Sequence, residues 1–214
     1  MNSKLVLLIF ALLFCYRSAG SPSPTSYVVQ GWNSECFFLM RSTFRDKTFL
    51  GIGTCYQIKE DGSFDKLWQI EGDYSFEGRI FLGGEGKILI RIREAFQPQP
   101  DPANSALAQQ PILEFYNEGK LFKKLSVQEV VDPSKLLNNS FRIFSTHEIF
   151  NYDDATTPKM GRLPYFNFFN DDDKEAIRKK ATDETEIFCI KTVQSEILVF
   201  NVIDGSLIYR KKSE

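Results

Sequence analysis

The sequence predicts a mainly β protein, an antiparallel meander of hairpins that forms an open sheet or two packed sheets and is partly propeller-like, with two short helices. Three observations support this fold class. Short segments rich in β-branched and aromatic residues recur along the chain. Many of them are joined by turns in which Gly follows or accompanies Asp, Glu or Asn. Helical character is confined to two short segments.

The strand segments are short, and most are bounded by turn residues. We expect strands at residues 27–30, 36–44, 49–58, 64–70, 79–82, 87–93, 112–116, 121–125, 141–144, 186–193, 197–203 and 207–210.

Several predicted hairpins share one pattern, an apolar strand, an acidic–Gly turn and a second strand that starts with an apolar residue. Asp61–Gly62 and Asp204–Gly205 are two of these turns. A closed propeller needs at least four blades of about 40–45 residues each. Residues 94–111 and 145–185 do not have the pattern of blades. The sequence therefore favours the open meander or the two packed sheets.

Two segments have helix signals. Residues 172–181 carry acids in the first turn and Arg178, Lys179 and Lys180 in the last, which complements the helix dipole. Residues 127–131 follow Ser126, and Glu129 stands three positions later, as in a capping box.

The amino terminus has the order of a secretory signal. Lys4 precedes an unbroken apolar run at residues 5–14, and Ser18 and Gly20 occupy the positions that a signal peptidase reads. The run is too short for a membrane span, which takes about 20 residues. We expect a signal peptide at residues 1–20, a Pro/Ser linker at 21–26 and a single β-rich domain at 27–214, in a secreted or periplasmic protein.

The charge balance limits the classes of partner. A formal net charge of −2 argues against nucleic acid, which requires a concentrated basic face. After signal cleavage no segment is apolar enough to lie in a membrane. A protein, a peptide or an envelope polymer remains as the partner class, and no cofactor motif is present.

Cys36 and Cys55 are the first candidates for a disulfide, since disulfides persist in secreted proteins. Their pairing depends on hairpin register. A two-residue turn at 45–46 places Cys36 opposite Cys55, within cross-strand reach. A three-residue turn pairs Cys36 with Tyr56 and turns Cys55 to the other face. The pattern does not choose between the two registers.

Candidate site residues are few. His147 stands next to Glu148 and near Asp153, so a general base with an orienting carboxylate is conceivable. No nucleophile elbow or second histidine accompanies it, and we predict no catalytic, cofactor or metal site. Tyr165 and Phe166, together with Trp68, are candidates for a binding surface, although the sequence favours burial of such aromatics in the core, since the chain has 20 Phe to bury.

The segments ILEFYNEGKLFKKLSVQEVVDPSKLLNNS and ILVFNVIDGSLIYR carry a resemblance. They resemble a family of uncharacterised bacterial secreted or periplasmic β-rich proteins. The resemblance implies a fold and a compartment, and no established activity. The matching residues are Phe115, Tyr116, Gly119, Lys120, Leu121, Asp132, Pro133, Ser134, Lys135, Leu136 and Ser140.

The leading functional hypothesis is a non-catalytic secreted module that binds a partner. The alternative is a small extracytoplasmic hydrolase that uses His147 with nearby carboxylates or a thiol.

The signal peptide makes a direct prediction. The exported protein should begin at Ser21, because Gly20 is the last residue of the expected cleavage site. Intact-mass measurement of the exported chain checks this. Retention of residues 1–20 in the exported form would overturn the secretion hypothesis.

Overall fold

The computed structural model describes residues 26–31, 35–45, 48–73, 79–93, 108–133, 144–151, 169–181 and 186–212. In this part of the chain the protein has twelve strands in three four-stranded antiparallel sheets, together with two helices. The prediction of a mainly β fold with packed sheets is confirmed, and the number of sheets is three.

Each sheet is built from four strands that follow one another in the chain. Sheet A contains β1 (Tyr27–Gln30), β2 (Cys36–Arg45), β3 (Thr48–Ile58) and β4 (Phe64–Asp73). Sheet B contains β5 (Arg79–Gly83), β6 (Ile88–Ile92), β7 (Pro111–Asn117) and β8 (Lys120–Ser126). Sheet C contains β9 (Phe144–Asn151), β10 (Glu186–Thr192), β11 (Glu196–Asn201) and β12 (Leu207–Lys212). The helices are α1 (Val127–Val130) and α2 (Asp171–Arg178).

Sheet B is the middle layer of the molecule. All five residues of β6 are buried, which requires cover on both faces of the strand. One face packs Ile90 and Phe115 against Phe188 and Phe200 of sheet C. The other face packs Leu89 and Tyr116 of sheet B in the same core as Phe38 and Trp68 of sheet A. The three sheets therefore stack in the order A, B, C.

Helix α2 covers the outer face of sheet C. Ile177 of α2 packs with Ile187 and Val199 in a third apolar core. The helix begins at Asn170, whose side chain accepts a hydrogen bond from the Asp173 backbone N–H at 2.8 Å. The helix Asp171–Arg178 agrees with the helix that the sequence predicts at residues 172–181.

Asp173 ties α2 to the edge strand β12. Its carboxylate accepts hydrogen bonds from the Tyr209 hydroxyl and the Lys211 ammonium group. Burial raises the pKa of Asp173, but the hydrogen bonds from Lys211, Tyr209 and Asn170 outweigh this effect, and the pKa lies below its ordinary value. The capping box of α1 is also present, with Glu129 accepting from the Ser126 backbone N–H at 2.7 Å.

The β2–β3 hairpin has neither of the two expected registers. Arg45 pairs with Thr48 at the turn, so Cys36 lies opposite Gln57 and Phe38 lies opposite Cys55. Cys36 and Cys55 are therefore diagonal neighbours on the same face. The pairing of Arg45 with Thr48 is one position later than a two-residue turn at 45–46 would give, because nothing in the sequence of this segment specifies where the chain reverses.

Strand β9 corrects the sequence prediction in its region. We expected a strand at 141–144 and an interruption at 145–185, whereas the strand is Phe144–Asn151. Pairing with β10 along its length overrides a polar pattern that does not alternate.

A 3-10 turn at Gly84–Gly86 connects β5 to β6 and lies against sheet A. Gly86 has φ +86, and a Cβ there would lie 2.8 Å from Cys36 Sγ. Gly62 has φ +80 with no atom within 4 Å of the corresponding position.

Gly86→Ala should therefore destabilise the protein more than Gly62→Ala. Both variants force a left-handed conformation on a side chain, at a cost of about 1–2 kcal/mol. Only Gly86→Ala adds a clash inside a packed core. Urea unfolding of the two variants measures the difference in the free energy of unfolding. Equal losses of stability would show that the 3-10 turn relaxes to accommodate the new methyl group.

Candidate functional site

The catalytic candidates of the sequence lie at the limit of the described structure. His147 and Glu148 are in β9, where their backbones pair with Ile190 and Cys189. Their side chains lie outside the described part of the structure, as do the residues Asp153, Tyr165 and Phe166. The hypothesis of a site at His147 therefore stays a prediction.

Trp68 does not belong to a surface. Its side chain is 7% exposed, and its indole Nε1 donates a hydrogen bond to the Gly86 carbonyl oxygen at 2.7 Å. The Phe38 ring packs against it with centroids 5.6 Å apart. Trp68 joins sheet A to the 3-10 turn that precedes β6. Its side chain therefore lies in the core and not on a binding surface.

The two cysteines in the same interface are free thiols in the structure, and the expected Cys36–Cys55 disulfide is not formed. Cys36 Sγ donates to the Glu85 carbonyl oxygen, and Cys55 Sγ donates to that of Gly86, both at 3.3 Å. Burial raises the pKa of Cys36. Burial, together with the neighbouring Cys36, raises the pKa of Cys55 to about 12. Such thiols are poor nucleophiles, because the thiolate is the reactive form.

A buried ion pair lies on the face of sheet B that is turned toward sheet A. Arg91 Nη1 is 3.1 Å from Glu114 Oε2, and the two side chains are 4% and 7% exposed. The Tyr116 hydroxyl donates to the same carboxylate oxygen at 2.9 Å. Burial raises the pKa of Tyr116 to about 12, and the charge of Glu114 adds to the effect. Arg91 Nη1, the Tyr116 hydroxyl and Glu114 Oε2 thus have hydrogen-bond partners within the interface, as buried polar groups need.

The face of sheet A that is turned away from sheet B is the remaining candidate, and we call it the open face. Side chains alternate along a strand, so the register of the sheet defines its members. Among the residues whose side chains the structure describes, they are Val28, Gln30, Glu35, Phe37, Leu39, Arg41, Thr43, Leu50, Ile52, Thr54, Tyr56, Ile58, Phe64, Lys66, Gln69 and Glu71.

Three aromatic side chains form a cluster on the open face. Phe37 and Tyr56 are opposite each other on β2 and β3, and their rings stack with centroids 5.1 Å apart. Phe64 meets Phe37 edge to face, also at 5.1 Å. Phe64 is 58% exposed, and Val28 on β1 is 61% exposed. An apolar surface of this kind gains free energy when it is covered.

A polar ladder borders the open face along β4. Lys66 Nζ donates to Gln69 Oε1 at 2.6 Å, and Gln69 Nε2 donates to Glu71 Oε1 at 3.0 Å. Among the side chains that the structure describes on this face, the charged ones are Glu35, Arg41, Lys66 and Glu71, which balance in sign. The face thus combines apolar side chains on its central strands with a mixed polar border along β4.

The sequence of β2 contains a signal for this face. In the run CFFLM of β2, residues on both faces of the strand are apolar. Cys36, Phe38 and Met40 are buried against sheet B, whereas the apolar residues Phe37 and Leu39 lie on the opposite face of the strand. An antiparallel strand with one face in water normally alternates apolar and polar residues, and β2 departs from that pattern here.

Among the described residues, no three His, Cys, Asp or Glu side chains are placed to hold a metal ion. In the same part of the chain, no helix has the length and hydropathy needed to cross a bilayer.

Comparison with known proteins identifies no family. No family model matches the chain, and no curated protein matches it. Among solved structures, it is similar to the crystal structure of Saccharomyces cerevisiae Sqt1, with a TM-score of 0.38 and 13% identity. That alignment covers 88% of this chain and 38% of the other. A likeness this distant carries no argument about function.

The buried thiols give a prediction for cysteine chemistry. In the native protein Cys36 and Cys55 should resist alkylation by iodoacetamide, because burial withholds the thiolate. Both should react fully once the chain is unfolded without a reductant. Peptide mass mapping after each treatment identifies the modified sites. Failure of both to react in the unfolded chain would mean that they form a disulfide after all.

Proposed function

We propose that this chain is a non-catalytic secreted or periplasmic binding module that docks another protein on its open face. The observation that carries the proposal is the aromatic cluster in which the exposed Phe64 packs on the half-buried Phe37 and Tyr56. Export is supported by the apolar run at residues 5–14 and by the resemblance to secreted β-rich proteins.

The composition of the open face favours a protein partner. Specific protein interfaces have an apolar, often aromatic centre and a polar rim that carries hydrogen bonds. The open face has this arrangement, with Phe37 and Tyr56 on the two central strands and Lys66, Gln69 and Glu71 on an edge strand. A basic or acidic field that would select a polyelectrolyte is absent from this face, since its four charged residues balance.

The edges of the sheets are less suited to docking. Lys120, Lys123 and Lys124 all lie on the edge strand β8 and are exposed. Lysines on an edge strand discourage the addition of another strand. Exposed apolar residues there, such as Leu121, stand among these charges. The face of sheet A is therefore the better docking element.

The proposal predicts which substitutions abolish binding. Val28→Ser combined with Phe64→Ser should leave the fold intact, because surface substitutions usually change stability by less than about 0.5 kcal/mol each. The same double variant should bind the partner with at least about tenfold lower affinity, since buried aromatic anchors dominate binding energy.

The matched control is Leu121→Ser combined with Leu207→Ser, which alters two similarly exposed leucines on other sheets. Wild type, variant and control are immobilised, exposed to fluid from the compartment that receives the protein, and compared by quantitative mass spectrometry. A protein retained by wild type and control but lost from the open-face variant supports the proposal. Equal retention by all three, or retention of polysaccharide alone, contradicts it.

A further inference from the structure

We infer that the protein docked on the open face is a second copy of this chain. This inference rests on the proposed function and names its partner. It follows from the area of the face, from its balance of charge and from the positions of its charged residues in the register.

The area of the open face matches a small specific interface. Strands about 4.8 Å apart that rise about 3.3 Å per residue give this sheet a face of roughly 550 Å². Two such faces in contact would bury about 1,100 Å², which exceeds the roughly 1,000 Å² that separates specific interfaces from incidental ones. Sheets pack face to face about 10 Å apart, so two copies of sheet A need no rearrangement to meet.

The charges of the open face complement themselves. Among the described side chains, Arg41 and Lys66 are matched in number by Glu35 and Glu71, so these four give the face no net charge that would repel a copy of itself. A two-fold contact requires this property, because each copy presents the same patch.

The register shows how a two-fold axis pairs these charges. Leu39, Thr54 and Gln69 form the central row across β2, β3 and β4. The next row on one side ends in Lys66, beside Tyr56, and the next row on the other side ends in Glu71, beside Ile52.

A two-fold axis along the central row, perpendicular to the strands, exchanges the two flanking rows. Lys66 of each copy then lies opposite Glu71 of the other, which forms two equivalent ion pairs. Arg41 of each copy meets Phe37 of the other, where a guanidinium group can lie on an aromatic face.

Charge reversal tests this arrangement. The exported chain should be a dimer in sedimentation equilibrium at micromolar concentration. Lys66→Glu should weaken the dimer at least about tenfold, because each acid then faces Glu71 of the other copy. Glu71→Lys should weaken it to a similar extent. A mixture of the two variants should form a heterodimer of nearly wild-type affinity, because both ion pairs are then opposite in sign.

Lys124→Glu on β8 is the matched control and should leave the dimer unchanged. The heterodimer excludes a folding defect as the cause of either loss. A chain that stays monomeric at all concentrations, or a dimer insensitive to both reversals, overturns the inference. Capture of a different protein that depends on Val28 and Phe64 would still support the proposed function. A chain that neither dimerises nor captures a protein through Val28 and Phe64 would reject both the inference and the proposed function.

Discussion

The need to bury both faces of sheet B is the constraint on which the rest of the structure depends. The residues of β6 alternate between Ile90, which packs toward sheet C, and Leu89, which packs toward sheet A. A single partner sheet would leave one of these faces in water, at a cost of about 25 cal/mol for each Å² of apolar surface. Two neighbouring sheets are therefore required, and the chain supplies one before and one after sheet B.

The same stacking explains which polar groups are inside. Arg91 and Glu114 face sheet A from adjacent strands, and each has its charge compensated by the other at 3.1 Å. Removal of one partner would leave a buried charge, which is far more costly than the pair is stabilising. The pair also joins β6 to β7 in one register, because a slip of one residue would separate the two side chains onto opposite faces.

Much of the fold could be predicted from the sequence because its determinants are local. Asp61–Gly62 and Asp204–Gly205 mark their hairpins through turn chemistry, the Ser126 cap marks the start of α1, and the acids of the first turn mark α2. The register of β2 and β3 could not be predicted, since several turns at Arg45 and Asp46 agree with the same strands.

The open face was missed for a different reason: which face of a sheet is covered depends on contacts between residues distant in the chain. Trp68 illustrates the point, because its indole hydrogen bond partner, Gly86, lies in a different sheet. A pattern within one strand cannot show that a large aromatic side chain is enclosed by a turn that comes later.

Helix α2 makes the two ends of the stack different. It covers Ile187 and Val199 on the last sheet, while the first sheet has no such cover among the described residues. If both ends were bare, copies could add end to end without limit and grow into filaments. In the dimer that we propose, association through the uncovered end would therefore stop at two chains. Removal of this short helix would expose a second apolar sheet face, and that face would let the proposed dimers join into an open-ended polymer.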